Sequence, residues 1–271
     1  MRLWNFRGEQ NTITGALRLT LPDHAVICVT GAGGKTTLIT SWARELASSG
    51  KRTVITTTTH MAHPDHPIAG SPDPYNGIPV IYDPVSTPGP DREPESESDP
   101  EPSPEFCARI KRSLDEHGLI MVVSPDPDNP AKVKAPSPWL MDHLYKTADI
   151  VLIEADGSRR MPFKWPAPWE PVVPENTDIT VCVAGLSALG RPLAEVMYRY
   201  DSLPEPMRRE TVDVNLICAV TSSLEGGQKD IYGEFRVFLN QADTPELQEE
   251  AAYMQRLFAV RGIQSAWGSL K

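Results

Sequence analysis

Residues 25–37, AVICVTGAGGKTT, join a compact apolar run to a glycine-rich turn that ends in Lys35 and a pair of threonines. Five apolar residues rich in β-branched side chains, without polar alternation, predict a strand buried on both faces. Beyond the turn, Leu38, Ile39, Trp42 and Leu46 recur at helical spacing over 36–49, and Ser48-Ser49-Gly50 supplies a stop. A strand, a glycine turn and a helix in that order bring backbone N–H groups and a helix dipole to bear on a phosphate.

The same alternation continues along the chain. Further strands are predicted at 52–56, 119–123, 149–154, 179–184 and 234–239. Helices are predicted after Ser103-Pro104, where the serine caps and the proline takes the first turn, after Ser137-Pro138 and after Thr244-Pro245. Segments 10–23 and 201–224 fit neither pattern. Strands apolar on both faces, interleaved with helices, predict an α/β fold: a mostly parallel sheet flanked by helices, like that of P-loop NTPases. One domain over 1–271 accommodates the length.

The turn carries specific chemistry. Gly31, Ala32, Gly33 and Gly34 offer backbone N–H groups at close approach, Lys35 a mobile cation, and Thr36 and Thr37 hydroxyls, of which Thr36 follows the lysine where Mg²⁺ is ligated. The common form would place its first glycine at Val29, so the loop is the shorter kind and resembles that of the Mur-type ligases. A second element, VLIEADGS over 151–158, delivers Glu154 and Asp156 to the carboxyl end of a buried strand, where ligands of parallel sheets collect. Either acid suits Mg²⁺ or the orientation of an attacking water, so the candidate metal residues are Thr36, Glu154 and Asp156. Arg159 and Lys164 follow as candidates to hold a transferring phosphoryl group. Lys35, Glu154, Asp156, Arg159 and Lys164 form the candidate catalytic set.

Asn240-Gln241-Ala242-Asp243 resembles the base-reading NKxD element of G proteins, with Gln241 in place of the lysine. Asn240 and Asp243 are therefore candidates for the base, against the alternative that Asp243 or Thr244 merely caps the next helix. The phosphate loop's resemblance points instead to ATP, and ATP or GTP stays open. His60, His63 and His66 lie three apart, but Pro64 and Pro67 break any helix that would align them on a metal. Thr57 to Thr59 end a strand at the ligand edge of the sheet.

Composition removes several classes. The net charge of −10 argues against nucleic acid or an anionic membrane as the main partner. The absence of a long apolar run excludes a membrane-spanning helix, and MRLWNFRGEQ lacks a signal-peptide pattern. Four isolated cysteines, Cys28, Cys107, Cys182 and Cys218, read as thiols of a reducing compartment, and the expected location is cytoplasmic. Between Asp83 and Glu105, eight acids meet one arginine and seven prolines, a composition expected to form a disordered insertion.

Taken together, GAGGKTT (31–37), EADGSR (154–159), PFK (162–164), Glu170-Pro171, Gly185, GRPL (190–193) and NQAD (240–243) resemble the YqeC family. Where that family often has His-Arg after the GxPL segment, this chain has Tyr198-Arg199. The resemblance implies a P-loop protein acting in the maturation of selenium-dependent molybdenum hydroxylases. Two expectations follow: an enzyme that hydrolyses the nucleotide or transfers its phosphoryl group to a small acceptor, or a nucleotide-gated switch delivering a selenium or molybdenum cofactor to a partner apo-enzyme. A loop that binds an anion only structurally is the third.

Overall fold

The computed structural model describes residues 1–65, 73–84 and 103–270. β1 (Arg2–Asn5) and β2 (Gly8–Gln10) form a hairpin, followed by one helical turn, α1 (Ile13–Ala16). β3 (Ala25–Gly31) leads into α2 (Lys35–Ser48), then β4 (Thr53–Thr57), β5 (Met61–Ala62) and β6 (Val80–Tyr82). Next come α3 (Pro104–His117), β7 (Leu119–Pro125), β8 (Lys132–Lys134), α4 (Pro138–Thr147), β9 (Ile150–Glu154) and β10 (Phe163–Lys164). β11 (Ile179–Gly185), α5 (Leu193–Val196), β12 (Met197–Tyr198) and α6 (Val214–Ser222) follow, and β13 (Glu234–Asn240), α7 (Pro245–Val260) and β14 (Gln264–Ser269) end the chain.

The main sheet runs β2-β1-β14-β13-β11-β3-β9-β4-β7-β8-β5, with β6 also beside β7. From β14 to β7 every pairing is parallel, and β1, β2, β5 and β8 add antiparallel margins. The fold is α/β, as the strand pattern predicts. Alternation explains why the central strands are apolar throughout. Ile27, Val29 and Leu152 face one core with Leu38, Ile39 and Trp42 of α2, while Val26, Cys28, Val151 and Ile153 face another with Ile110, Leu114 and Leu140. A third cluster joins α6 and α7 to β13 through Ile217, Phe258, Val237 and Leu239.

Helix starts follow the sequence closely. Ser103 accepts from Phe106 N at 3.2 Å, and Gly118 closes α3 in the left-handed region at φ 69°. Thr244 caps α7 by accepting from Leu247 N. The two segments without a clear pattern contain α1 and α6, and the marginal strands β1, β2 and β14 have too little apolar periodicity to be predicted. β1 is held instead by Trp4 stacked on Trp267 with ring centroids 4.4 Å apart.

The acidic stretch expected to be a disordered insertion lies mostly at 85–102, outside the described residues. Its two ends belong to the fold. Asp83 is buried and accepts a hydrogen bond from Ser137 N at 2.8 Å, and Ser103 caps α3. The four cysteines are free. Burial pushes the Cys28 and Cys182 thiols up to about 12 and Cys218 to about 11, so these three are protonated and chemically quiet. No helix among the described residues is long and apolar enough to cross a membrane.

Leu152, fully buried in β9 between β3 and β4, tests the core. Leu152→Ala is expected to cost about 3 kcal/mol in chemical denaturation, from lost transfer energy and the cavity left behind.

Candidate functional site

Register assembles the site at the carboxyl edge of the sheet. Glu154 lies opposite Val29 of β3 on one side and Thr57 of β4 on the other, so the acidic strand end sits beside the glycine turn. On the far side of β3, Val183 pairs with Gly31, and Gly185 pairs with Asn240 one strand further out.

The turn is seated by protein contacts. Gly33 has φ +87°, and a Cβ there would overlap Gly185 and the Pro162 carbonyl. Gly34, at φ +119°, is closed off by the Asn240 amide. Only glycine combines this backbone with such close approach. Asn240 Nδ2 donates to Gly33 O at 2.8 Å, and Ala32 N donates to Val183 O at 2.9 Å. Asp156 Oδ2 accepts from Gly31 N at 3.0 Å.

Lys35, the first residue of α2, is 3% exposed. Its ammonium donates to Gly31 O at 2.8 Å and stands 3.1 Å from Asp156 Oδ1 and 3.9 Å from Glu154 Oε1. Burial opposes its charge, yet Asp156 and Glu154 overcome that cost and hold it above the ordinary lysine value. Glu154 is raised above the usual carboxylate range, by burial first, with Lys35 and Thr36 pulling back. Thr36 Oγ1 donates to Glu154 Oε2 at 2.9 Å.

Charge alternates outward from this centre. Lys164 Nζ donates to Asp156 Oδ2 at 3.0 Å, Gly157 O at 2.7 Å and Glu170 Oε2 at 2.9 Å. Glu170 Oε1 then meets Arg199 at 3.4 Å, and the guanidinium lies over Tyr198 and Trp169. Lys35, Asp156, Lys164 and Glu170 are all buried. A buried charge is tolerated when paired, and this chain pairs each member in turn, with Asp156 Oδ1 left without a hydrogen bond.

In front of these residues lies a cleft of about 760 Å³. Its walls include Gly33 to Thr37, Glu154, Arg159, Arg160, Thr59 to Pro64, Lys132, Tyr75 and Gln241. Behind the turn a second void of about 20 Å³ is lined by Thr30, Asp156, Lys164 and Cys182. The structure thus brings Gly33, Gly34, Lys35, Thr36, Thr37, Glu154 and Arg159 to one cleft. Gly31, Ala32 and Asp156 stand directly behind it.

Two expectations change at this point. Lys164 has its three N–H donors used inside the protein and lines the small void, so it positions Asp156 where a grip on a phosphoryl group was expected. Asn240 turns its amide to Gly33 and holds the turn, while Asp243 accepts from Ser269 Oγ at 2.6 Å and is not among the cleft-lining residues. Of the two capping alternatives, Thr244 caps α7. Thr57 is buried, donating to Glu154 O at 2.8 Å, and Thr59 reaches the cleft wall. His66 lies outside the described residues. His60 meets Asp126 at 3.5 Å and His63 stacks on Tyr82, and no group of three metal-ligating side chains of the His/Cys/Asp/Glu kind occurs among the described residues. Tyr75, Arg160 and Lys132 were not singled out by sequence. Their segments carry no motif, and only the fold brings them to the cleft.

The YqeC protein family pattern matches residues 27–201 of this chain. A curated relative from Escherichia coli (strain K12), described as "Uncharacterized protein YqeC", is 32% identical over 187 residues. That match covers 66% of this chain and 59% of the relative, so the chain spans less than two thirds of the relative's length. No solved structure matches.

Asp156→Asn leaves Lys35 and Lys164 without their shared counter-charge. The expected loss is about 3 kcal/mol of stability in chemical denaturation, because Lys35 is left with only the more distant Glu154 and Lys164 with only Glu170.

Proposed function

The chain belongs to the YqeC family, and from that premise we propose that it binds a nucleoside triphosphate, ATP or GTP, on the turn between β3 and α2 and hydrolyses it or transfers its terminal phosphoryl group. One observation carries the reading: Thr36 Oγ1 lies 2.9 Å from Glu154 Oε2, beside the Lys35 ammonium and at the mouth of the cleft. A helix N-terminus, a lysine, a hydroxyl and a strand-end carboxylate at one point suit a polyphosphate with its cation.

The oxygen-only donor set fits Mg²⁺, a hard cation. Thr36 and Glu154 would hold it, with Asp156 behind, whose buried Oδ1 makes no in-line hydrogen bond. When bound, the cation supplies charge neutralisation to the phosphate oxygens. Lys35 needs only to exchange the Gly31 carbonyl for a phosphate oxygen, because Asp156 keeps it charged and aimed. Arg159, exposed on the cleft wall at φ +47° with its guanidinium 5.2 Å from the Tyr198 ring, faces the transferring group. In the chemical step, a bond forms from a water or acceptor oxygen to the terminal phosphorus as the bond to the bridging oxygen breaks. The leaving diphosphate takes the electron pair. Glu154, close to the cation it would hold, orients the incoming oxygen, whose proton passes to solvent or to a phosphate oxygen.

The resemblance of the motifs to a family linked to selenium-dependent molybdenum hydroxylases supports a role in the maturation of such enzymes. A second reading, a nucleotide-gated switch that delivers the cofactor to an apo-enzyme, has one observation in its favour. The ion-pair chain from Lys35 runs through Glu170 and Arg199 to Trp169, which is 71% exposed. Stimulation by a small acceptor separates the first reading from stimulation by a partner protein.

Lys35→Ala is expected to lower nucleotide affinity by about 100-fold in equilibrium binding, through loss of a charge-assisted contact in a desolvated site. Glu154→Gln is expected to lower Mg²⁺-dependent turnover by about 100-fold while affinity changes little. If both variants turn over nucleotide like the parent, the chemistry lies elsewhere.

A further inference from the structure

Backbone strain gathers on the wall of the cleft. Among the described residues six that are not glycine have a positive φ, and three of these, Arg159, Arg160 and Gln241, line this cleft. A β-carbon disfavours the left-handed region, which glycine enters freely. Residues held there against that preference cluster at ligand sites. Of the three, Gln241 is the one whose side chain is fixed against the phosphate turn.

Gln241 follows the last residue of β13 and has φ +66°. In a continuing strand, Asn240 and Gln241 would point to opposite faces of the sheet. The left-handed step instead brings both carboxamides to the glycine turn. Asn240 Nδ2 donates to Gly33 O at 2.8 Å, while the Gln241 carboxamide lies against Gly185. A Cβ on Gly185 would stand 2.5 Å from Gln241 Oε1 and 2.9 Å from Gly33 Cα, so Gly185 alone separates this carboxamide from the turn. Ser187 Oγ donates to Gln241 Oε1 at 2.6 Å and fixes the orientation of the group. Nε2 meets no protein acceptor among the described residues and is not buried, and Gln241 shares the cleft wall with Gly33 and Gly34.

We infer that Gln241 Nε2 donates to an oxygen of the phosphate chain seated on the Gly31–Thr37 turn. The strand order β13-β11-β3-β9 puts Gln241 and Glu154 on opposite sides of that turn, so the contact falls on the flank away from Thr36 and the cation. A carboxamide whose oxygen is engaged by Ser187 offers the cleft N–H donors only, which suits an acceptor such as a phosphate oxygen. The inference rests on the nucleotide reading and adds a binding residue to that site.

The experiment measures melting and equilibrium binding on the whole protein with Mg²⁺. Its probes are non-hydrolysable analogues of ATP and of GTP, and inorganic triphosphate. Glycine relieves the left-handed backbone but adds freedom to the unfolded chain, so Gln241→Gly is expected to melt close to the parent. It should bind each probe that the parent binds about tenfold more weakly, for the loss of one hydrogen bond to a charged group. Gln241→Glu keeps the length and the bond from Ser187 but sets a carboxylate against phosphate, and should weaken the same probes about 100-fold. Unchanged affinity in both variants overturns the inference. So does a Gln241→Gly protein that melts well below the parent and loses affinity with it, which makes the residue a brace for the turn. A loss confined to one nucleotide analogue, with inorganic triphosphate unaffected, assigns Gln241 to the base and overturns it too. If the parent binds inorganic triphosphate in a Gln241-dependent way but neither analogue, the nucleotide reading fails and the phosphate contact stands. If the parent binds none of the probes, both fall.

Discussion

A lysine ammonium buried to 3% exposure constrains everything around it. Lys35 starts a helix at the edge of the sheet, where desolvation works against its charge and only carboxylates within a few ångströms can restore it. Asp156 does so at 3.1 Å, and because Asp156 is itself 2% exposed it requires a second cation, Lys164. Lys164 in turn requires Glu170, and Glu170 meets Arg199 near the surface. The loop from Gly157 to Glu170 is thereby tied to the glycine turn by charge pairing, while Phe163 and Trp165 within it pack into the core beside α6 and β13. Replacing any one of these groups by a neutral one leaves each neighbour with one counter-charge fewer in a low-dielectric setting, a costly change for buried ions.

The same network fixes the shape of the turn. Asp156 holds the Gly31 amide, Asn240 holds the Gly33 carbonyl, and Gly185 and Pro162 leave Gly33 no room for a side chain. Three strands, β9, β11 and β13, therefore contribute to the conformation of a turn that belongs to β3. Preorganisation of this kind puts the cost of ordering into folding, where core burial offsets it, instead of into ligand binding. It also explains how a loop shorter than the usual form keeps its geometry: neighbouring strand ends supply contacts to it.

Much of the fold was legible because the deciding elements are locally unambiguous. The runs at 25–29, 119–123 and 150–154 are apolar on both faces, and Ser103, Gly118 and Thr244 mark helix ends by their own chemistry. The marginal strands were not legible: QSAWGS at 264–269 is a strand because β13 and β1 pair with it, not through periodicity of its own. Within the site, Lys35, Thr36 and Glu154 were readable from motif and register. Lys164 and Asn240 were named, but as groups that would touch a ligand, since spacing in sequence does not reveal that a donor's capacity is consumed by Glu170 or by a glycine carbonyl. Tyr75, Lys132 and Arg160 reach the cleft from segments without a motif, and only the strand order places them there.

The central claim is that Lys35 is a phosphate ligand held in readiness by Asp156. The most direct measurement is a crystal structure with Mg²⁺ and a non-hydrolysable triphosphate analogue. The account predicts phosphate oxygens on the Gly31–Thr37 turn, with Lys35 Nζ moved from Gly31 O, where it now lies at 2.8 Å, onto the β- or γ-phosphate and still beside Asp156. An analogue bound elsewhere, with the Lys35–Gly31 bond intact, would contradict it.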